Sequence, residues 1–400
     1  MKRFKTILAL MLALVMVFSV VACNGDDETP VTDPDRTEGV DEPTEPVDEP
    51  TEPVDEPDGE EGLHVGILTT SGVDDGSFGQ ACYEGILEYV DANEGASVND
   101  VKEDDIGRVV QATADILADY DAMVMPGFQF APVGPVVADN PDKFFILVDS
   151  FPTIEDEEVE LDNIFAMMFK EEESGFFAGI AAAMQTESNK VAVVNGIAFP
   201  SNVNYQFGFM SGVEYANAHY GTSVEVVELP AYAGVDVTGA DVGGNYAGDF
   251  ADQARGKLIG EALLAEGVDI IFVAAGDTGN GVFAAVKEAD EGNYVIGCDV
   301  DQYDDGEAGG RNIILTSALK NMTAVVAEQL QKAHDGTFVG QNALLGAAEG
   351  GTGYVSADGR HQLTDETLEK LAEVYTLVED GTIVPASNFN GHTPDNFPGL

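Results

Sequence analysis

The sequence predicts an α/β chain of two lobes, each a parallel sheet flanked by helices. Three observations point there. Short β-branched runs alternate with helical stretches, the pattern of parallel sheets covered on both faces. The residues from Leu63 to Leu400 exceed one comfortable core and suit two lobes of roughly 150 residues each. Loops rich in Gly, hydroxyl and carboxylate follow several strands, where such sheets hold ligands, so the expected site is the cleft between lobes.

In order, strands are expected at 63–69, 122–125, 144–148, 164–169, 191–194, 223–229, 270–273, 294–298 and 313–317. Helices are expected at 77–92, 106–119, 174–185, 203–219, 251–266, 281–289, 321–333 and 364–379. Ser77-Phe-Gly-Gln80 matches a capping box with Gln80 at the fourth place, which puts Phe78 in the first turn. There Phe78 reads either as a staple onto its own helix or as a ligand platform. The lobes are expected at 63–168 with 299–332 and at 169–298 with 333–400. Hinge crossovers then fall near Phe169, Asp299 and Ala333.

The chain has 17 Lys+Arg against 73 Asp+Glu, a formal net charge of −56. Like-charge repulsion excludes nucleic acid as the main partner. The 44% hydrophobic content is that of a foldable chain. Three cysteines are too few for a disulfide scaffold, and no Cys/His cluster at metal spacing occurs. No cofactor and no metal are expected. Cys82 and Cys298 read as buried small hydrophobes.

Residues 1–22 read as a secretory signal, with Lys2, Arg3 and Lys5 ahead of an apolar run. Val20-Val-Ala-Cys23 resembles a bacterial lipobox, which implies cleavage before Cys23 and lipidation of that cysteine. Residues 23–62 then form a lipidated cysteine and an acidic, Pro-rich linker. A heptad repeats at 41–47 and 48–54, and like charges with proline give an extended tether. Residues 24–62 hold 17 of the acids and only Arg36 as a base. The rest therefore carries 56 acids against 13 Lys+Arg, an acidic surface suited to high salt.

Three loop clusters follow strands. Thr69 to Phe78 is rich in hydroxyls and carboxylates. Ala274 to Gly281 resembles a phosphate cradle, but it lacks the Gly-Lys-Ser/Thr ending of a P-loop, and Asp277 disfavours phosphate. Asp299-Val-Asp301 hints at a calcium loop, yet Asp304 stands where a Gly is needed. Carboxylates accept two charge-assisted bonds from vicinal ribose hydroxyls, and aromatic faces stack a flat base. With no cationic cluster to receive phosphate, a nucleoside fits better than a nucleotide.

Taken in order, Gly72 to Gln80, Pro126-Gly-Phe128, Phe144 to Asp149, Glu171 to Gly179, Phe207 to Gly212, Tyr246 to Asp252, Ala275 to Gly281, Val295 to Gln302 and Leu315 to Asn321 carry a resemblance. The chain is similar to the basic membrane protein family of substrate-binding lipoproteins, purine-nucleoside receptors of ABC importers. The resemblance spans nearly all of 63–400. It implies a type I periplasmic-binding-protein-like fold that closes on a nucleoside. By the same resemblance Phe78 and Phe250 clamp the base from opposite lobes. Asp299, Asp301 and Lys320 take the ribose hydroxyls, Gly276 offers backbone, and Asp149 supplies a carboxylate. The implied partners are an ABC permease and ATPase complex, with a monomeric receptor held by its lipid on the extracytoplasmic face of the cell membrane.

The sequence departs from the family at Thr70, where an Asp commonly bonds the base. Losing that acceptor costs one charge-assisted bond, about 1.5–3 kcal/mol, and weakens purine preference. Asp74 is the neighbouring acid that would substitute. Gly79 and Tyr83 replace a common Asn and Trp. Two other functions compete with transport. A sensor or surface antigen would use the same lobes. A nucleoside hydrolase is suggested by Asp74-Asp75, but the loop has no Asp-x-Asp pair at the strand end and no His nearby, so no enzyme activity is expected.

Overall fold

The computed structural model describes residues 62–400. The signal, Cys23 and nearly all of the linker lie outside the described residues. Among the described residues, no helix is long and apolar enough to cross a membrane.

Two six-stranded sheets dominate. The first runs in the order Gln341–Leu345, Ile164–Phe169, Phe144–Val148, Ala122–Pro126, His64–Thr69, Ser97–Lys102, all parallel. The second runs Thr352–Tyr354, Ile314–Lys320, Tyr294–Asp299, Ile270–Ala274, Lys190–Asn195, Glu225–Val226, with only Thr352–Tyr354 antiparallel. The α/β class and covered parallel sheets are as the sequence implies.

The alternation along each central strand explains the layering. Val65, Ile67, Val124, Ile146 and Val148 pack beneath helices Phe78–Ala92 and Met322–His334. Leu68, Met123, Met125, Phe145 and Leu147 face the opposite core. A sheet so buried on both sides needs apolar residues at consecutive positions. In the second lobe, helices Glu171–Gln185 and Pro200–His219 meet backbone to backbone. A Cβ on Gly179 would lie 2.1 Å from the Phe209 carbonyl oxygen, and one on Gly212 would lie 2.2 Å from that of Phe176. That close approach locks the two helices together, and the first turns of Pro200–His219 reach the cleft through Ser201, Asn202 and Tyr205.

The lobe boundaries differ from those expected. Ile314–Lys320, placed in the first lobe by sequence, pairs with Tyr294–Asp299 in the second sheet. Its pairing register with Tyr294–Asp299, not its burial pattern, decides that seat. Gln341–Leu345, expected in the second lobe, pairs with Ile164–Phe169 in the first. The chain therefore crosses at Lys170, at Asn321 and between Gly346 and Gly351, not at Asp299 or Ala333. Ser97–Lys102 escaped sequence reading because this edge strand keeps no buried residue, and thus no apolar run. Of 223–229 only Glu225–Val226 joins a sheet.

Candidate functional site

A cleft opens between the two lobes. Phe78, Thr70 and Asp149 from the first lobe and Phe250, Gly276, Asp299 and Lys320 from the second all line it. Thr70, Asp149, Gly276, Asp299 and Lys320 stand at or just beyond the carboxyl ends of sheet strands, whereas Phe78 opens helix Phe78–Ala92 and Phe250 lies in the loop before helix Gln253–Ala265. Asp149 follows Phe144–Val148, and Asp299 ends Tyr294–Asp299, the matching strands of the two sheets. Both adopt left-handed backbone, with φ of 64° and 68°. Asp tolerates that region better than most side chains, and such strain is commonly held at functional positions.

Lys320 is the electrostatic centre. Its side chain is 2% exposed, and its ammonium donates to Asp149 Oδ2 at 2.6 Å and pairs with Glu171 Oε1 at 3.0 Å. The same nitrogen lies 5.1 Å from the Phe78 ring centroid and 5.8 Å from that of Tyr205. Burial pulls the lysine pKa down, but the two carboxylates outweigh it and hold the ammonium above its usual range. Burial pushes the Asp149 carboxyl up to about 7; Lys320 opposes the rise, and Glu171 adds to it.

Asp299 is held from both lobes. Its Oδ2 accepts the Ser77 hydroxyl at 2.7 Å, and its Oδ1 accepts the Tyr205 hydroxyl at 3.0 Å. Cys298 and Cys82 are free and buried, and burial raises both thiols well above their ordinary value, so they stay protonated.

The aromatic wall is a row of rings. Phe199 lies 6.0 Å from Phe250 and 5.7 Å from Phe128, which comes from the other lobe. Phe250 sits over Gly196, where a Cβ would lie 2.2 Å from its ring. Gly276 has φ of 53°, and its Cβ position is 3.3 Å from the Phe250 carbonyl oxygen, so its bare backbone faces the cleft. Thr70 Oγ1 accepts a hydrogen bond from Gln129 Nε2 at 3.3 Å.

Three sequence expectations need correction. Ser77 does not cap its helix through its side chain. Asp75 does so instead, accepting from the backbone amides of Ser77, Gly79 and Gln80 and from the Ser71 hydroxyl. The Ser77 hydroxyl is thereby left for Asp299. Asp74 is exposed and lies outside the cleft lining. Asp301 also lies outside it, its carboxylate taken by Arg360 Nε at 2.7 Å and the Tyr303 amide at 3.0 Å. The left-handed turn at Asp299 sends the chain away before Asp301 can reach the cleft.

Phe128, Gln129, Phe199, Asn202, Tyr205 and Glu171 were not singled out as site residues. Phe128 and Glu171 stand in the segments that carried the resemblance, and their position after strands was the available signal. Asn202 and Tyr205 lie on helix Pro200–His219 beside the second lobe's first strand.

What the cleft offers chemically is recognition. Flat faces come from both lobes, and acidic acceptors stand at its floor. Asp75, the carboxylate a hydrolytic mechanism would enlist, already accepts four hydrogen bonds.

The chain is similar to known proteins over most of its length. The chain is 28% identical over 334 residues to a CD4+ T-cell-stimulating antigen of Listeria monocytogenes, covering 79% of this chain and 86% of that protein. It is 26% identical over 349 residues to the ABC transporter nucleoside-binding protein BmpA of Lactococcus lactis, covering 81% and 89%. An ABC transporter solute-binding protein from Aeropyrum pernix shares the fold, with a TM-score of 0.68 at 23% identity over 82% of this chain and 94% of that chain. A second, from Conexibacter woesei, superposes with a TM-score of 0.59 at 18% identity, covering 81% and 99%. The family model described as ABC transporter substrate-binding protein, PnrA-like, matches residues 63–229 and 233–386. The chain belongs to this Bmp family of ABC transporter substrate-binding proteins.

Proposed function

We propose that the protein is a lipid-anchored receptor that binds a nucleoside in the inter-lobe cleft and hands it to a membrane permease with its ATPase. The base lies between Phe78 and Phe250, where stacking contributes about 1–3 kcal/mol. The ribose hydroxyls donate to Asp299 and Asp149, with Lys320 donating back to a ribose oxygen. Thr70, Gln129 and Asn202 meet the edge of the base. Cys23 carries the lipid, which places the lobes on the extracytoplasmic face of the membrane. The charge balance of the cleft supports a nucleoside over a nucleotide: Lys320 is already matched by two carboxylates, leaving nothing cationic there to receive phosphate.

One observation carries this reading: two phenyl rings from opposite lobes and two strand-end aspartates line a single cleft. Calorimetry with a panel of purine and pyrimidine nucleosides, their monophosphates and the free bases tests it. Binding of at least one nucleoside, with its monophosphate bound far more weakly, is the expected result. A panel with no nucleoside binder, or a preference for the phosphorylated form, would overturn it.

A further inference from the structure

Two amide side chains face the cleft with their donors already spent. Gln129, next to Phe128 in the first lobe, donates from Nε2 to the Pro126 carbonyl at 3.2 Å and to Thr70 Oγ1 at 3.3 Å. Asn202, on the first turn of helix Pro200–His219 in the second lobe, donates from Nδ2 to the Ala274 carbonyl at 2.8 Å and to Asn195 Oδ1 at 3.3 Å. An amide nitrogen carries two hydrogens, so neither side chain has one left for a ligand. Their oxygens are in the opposite condition. Among the described residues nothing donates to Gln129 Oε1 or to Asn202 Oδ1, although Asn202 is only 7% exposed.

Neither amide can turn over. Each nitrogen points at a backbone carbonyl, which only accepts, so exchanging oxygen and nitrogen would set two acceptors against each other. Gln129 is seated further by Gly127. A Cβ there would lie 2.4 Å from Oε1 and 2.5 Å from Nε2, so only a residue without one admits the amide. Thr70 behaves differently: its Oγ1 accepts from Gln129, and its own hydrogen is free to turn toward the cleft.

The surroundings decide which part of a ligand meets these groups. The Phe128 and Phe199 rings come within 5.7 Å across the lobes, and Phe199 continues the row to Phe250 at 6.0 Å. Gln129 and Asn202 adjoin that row, where a flat base stacks, while the charged groups that suit a sugar gather around Lys320.

We propose, on the nucleoside reading of the cleft, that it selects a base carrying an amino group where the competing base carries a carbonyl: adenosine over inosine, cytidine over uridine. The two amino hydrogens donate to Gln129 Oε1 and Asn202 Oδ1, and the adjacent ring nitrogen accepts from the Thr70 hydroxyl. A 6-oxopurine or 4-oxopyrimidine instead sets its own oxygen against both amide oxygens. Hydroxyls adapt to either kind of partner; two amide oxygens held in place cannot. A mismatched polar pair in a dry site is costly, and there polar discrimination is strongest.

Calorimetry of the full chain with adenosine, inosine, purine riboside, cytidine and uridine provides the test. In whichever pair binds, the amino member is expected to be at least about tenfold tighter than the oxo member. Purine riboside, which has neither group, should be weaker than adenosine. Gln129→Met, at a half-buried position, removes one of the two acceptors and should narrow the amino-to-oxo ratio at least about threefold. An oxo member bound as tightly as its amino partner, purine riboside equal to adenosine, or an unchanged ratio in Gln129→Met would overturn the amino selectivity and leave the nucleoside reading standing. Absence of binding by all five compounds would overturn the nucleoside reading itself, and the selectivity with it.

Discussion

Lys320, at the end of a strand in the second sheet, donates across the cleft to Asp149 of the first at 2.6 Å. Together with the bond from Ser77 to Asp299 and that from Gln302 Nε2 to the Gly76 carbonyl at 3.0 Å, it ties the lobes together on either side of the ligand space. A receptor that closes on its ligand needs contacts that form only in the closed state, and the ligand shifts the balance by its differential affinity. These three bonds are available for that role because each joins residues of different lobes.

Lys320→Met therefore acts on both stability and binding. It leaves Asp149 and Glu171 buried without their counter-charge, and breaking a buried pair from one side costs about 3–5 kcal/mol. Urea denaturation should show the loss, and calorimetry should show nucleoside affinity falling at least tenfold. A variant with wild-type midpoint and affinity would remove Lys320 from the site.

Gly196→Ala tests the seat of Phe250 without touching any polar group. The added methyl would meet the ring at 2.2 Å, so the ring must move. The stacking contribution of about 1–3 kcal/mol then falls, an affinity loss of about 5- to 150-fold. Thermal unfolding should drop far less than affinity, since Phe250 is only half-buried.

Asp75 and Ser77 separate capping from recognition. Asp75→Ala removes the acceptor of three helix-end amides and should cost about 2 kcal/mol in urea denaturation, at the upper end for a cap. Ser77→Ala leaves that cap intact and removes one donor from Asp299. Its stability should change by less than about 1 kcal/mol, while nucleoside affinity shifts because Asp299 loses its tie to the first lobe.

This pair also marks how far sequence reasoning reached. The central strands were legible because burial on both faces demands continuous apolar runs, as in Phe144–Val148. The helix start at Phe78 was legible too, but the identity of its cap was not. Both Asp75 and Ser77 are good capping residues, and only the loop's path decides which carboxylate or hydroxyl reaches the amides. Asp299 and Asp301 pose the same problem, as both stand in one segment and a single left-handed residue sends them apart. The assignment of Ile314–Lys320 to the second sheet depended on pairing between segments distant in the chain, which local pattern does not encode.

Glu172 gives the pH dependence a definite sign. Its carboxyl is raised from an unfolded value of 4.5 to about 8, so the folded state holds the proton more tightly than the unfolded chain. That contribution to stability is complete below about 4.5 and is lost as pH rises through 8. Glu172→Gln keeps the shape and cannot ionise. It should match the wild type near pH 4.5 and exceed it above pH 8 by a few kcal/mol. Urea midpoints collected from pH 4.5 to 9 for both proteins provide the measurement. Parallel curves over that interval would show that the Glu172 carboxylate is compensated on ionisation, and a widening gap would show that it is not.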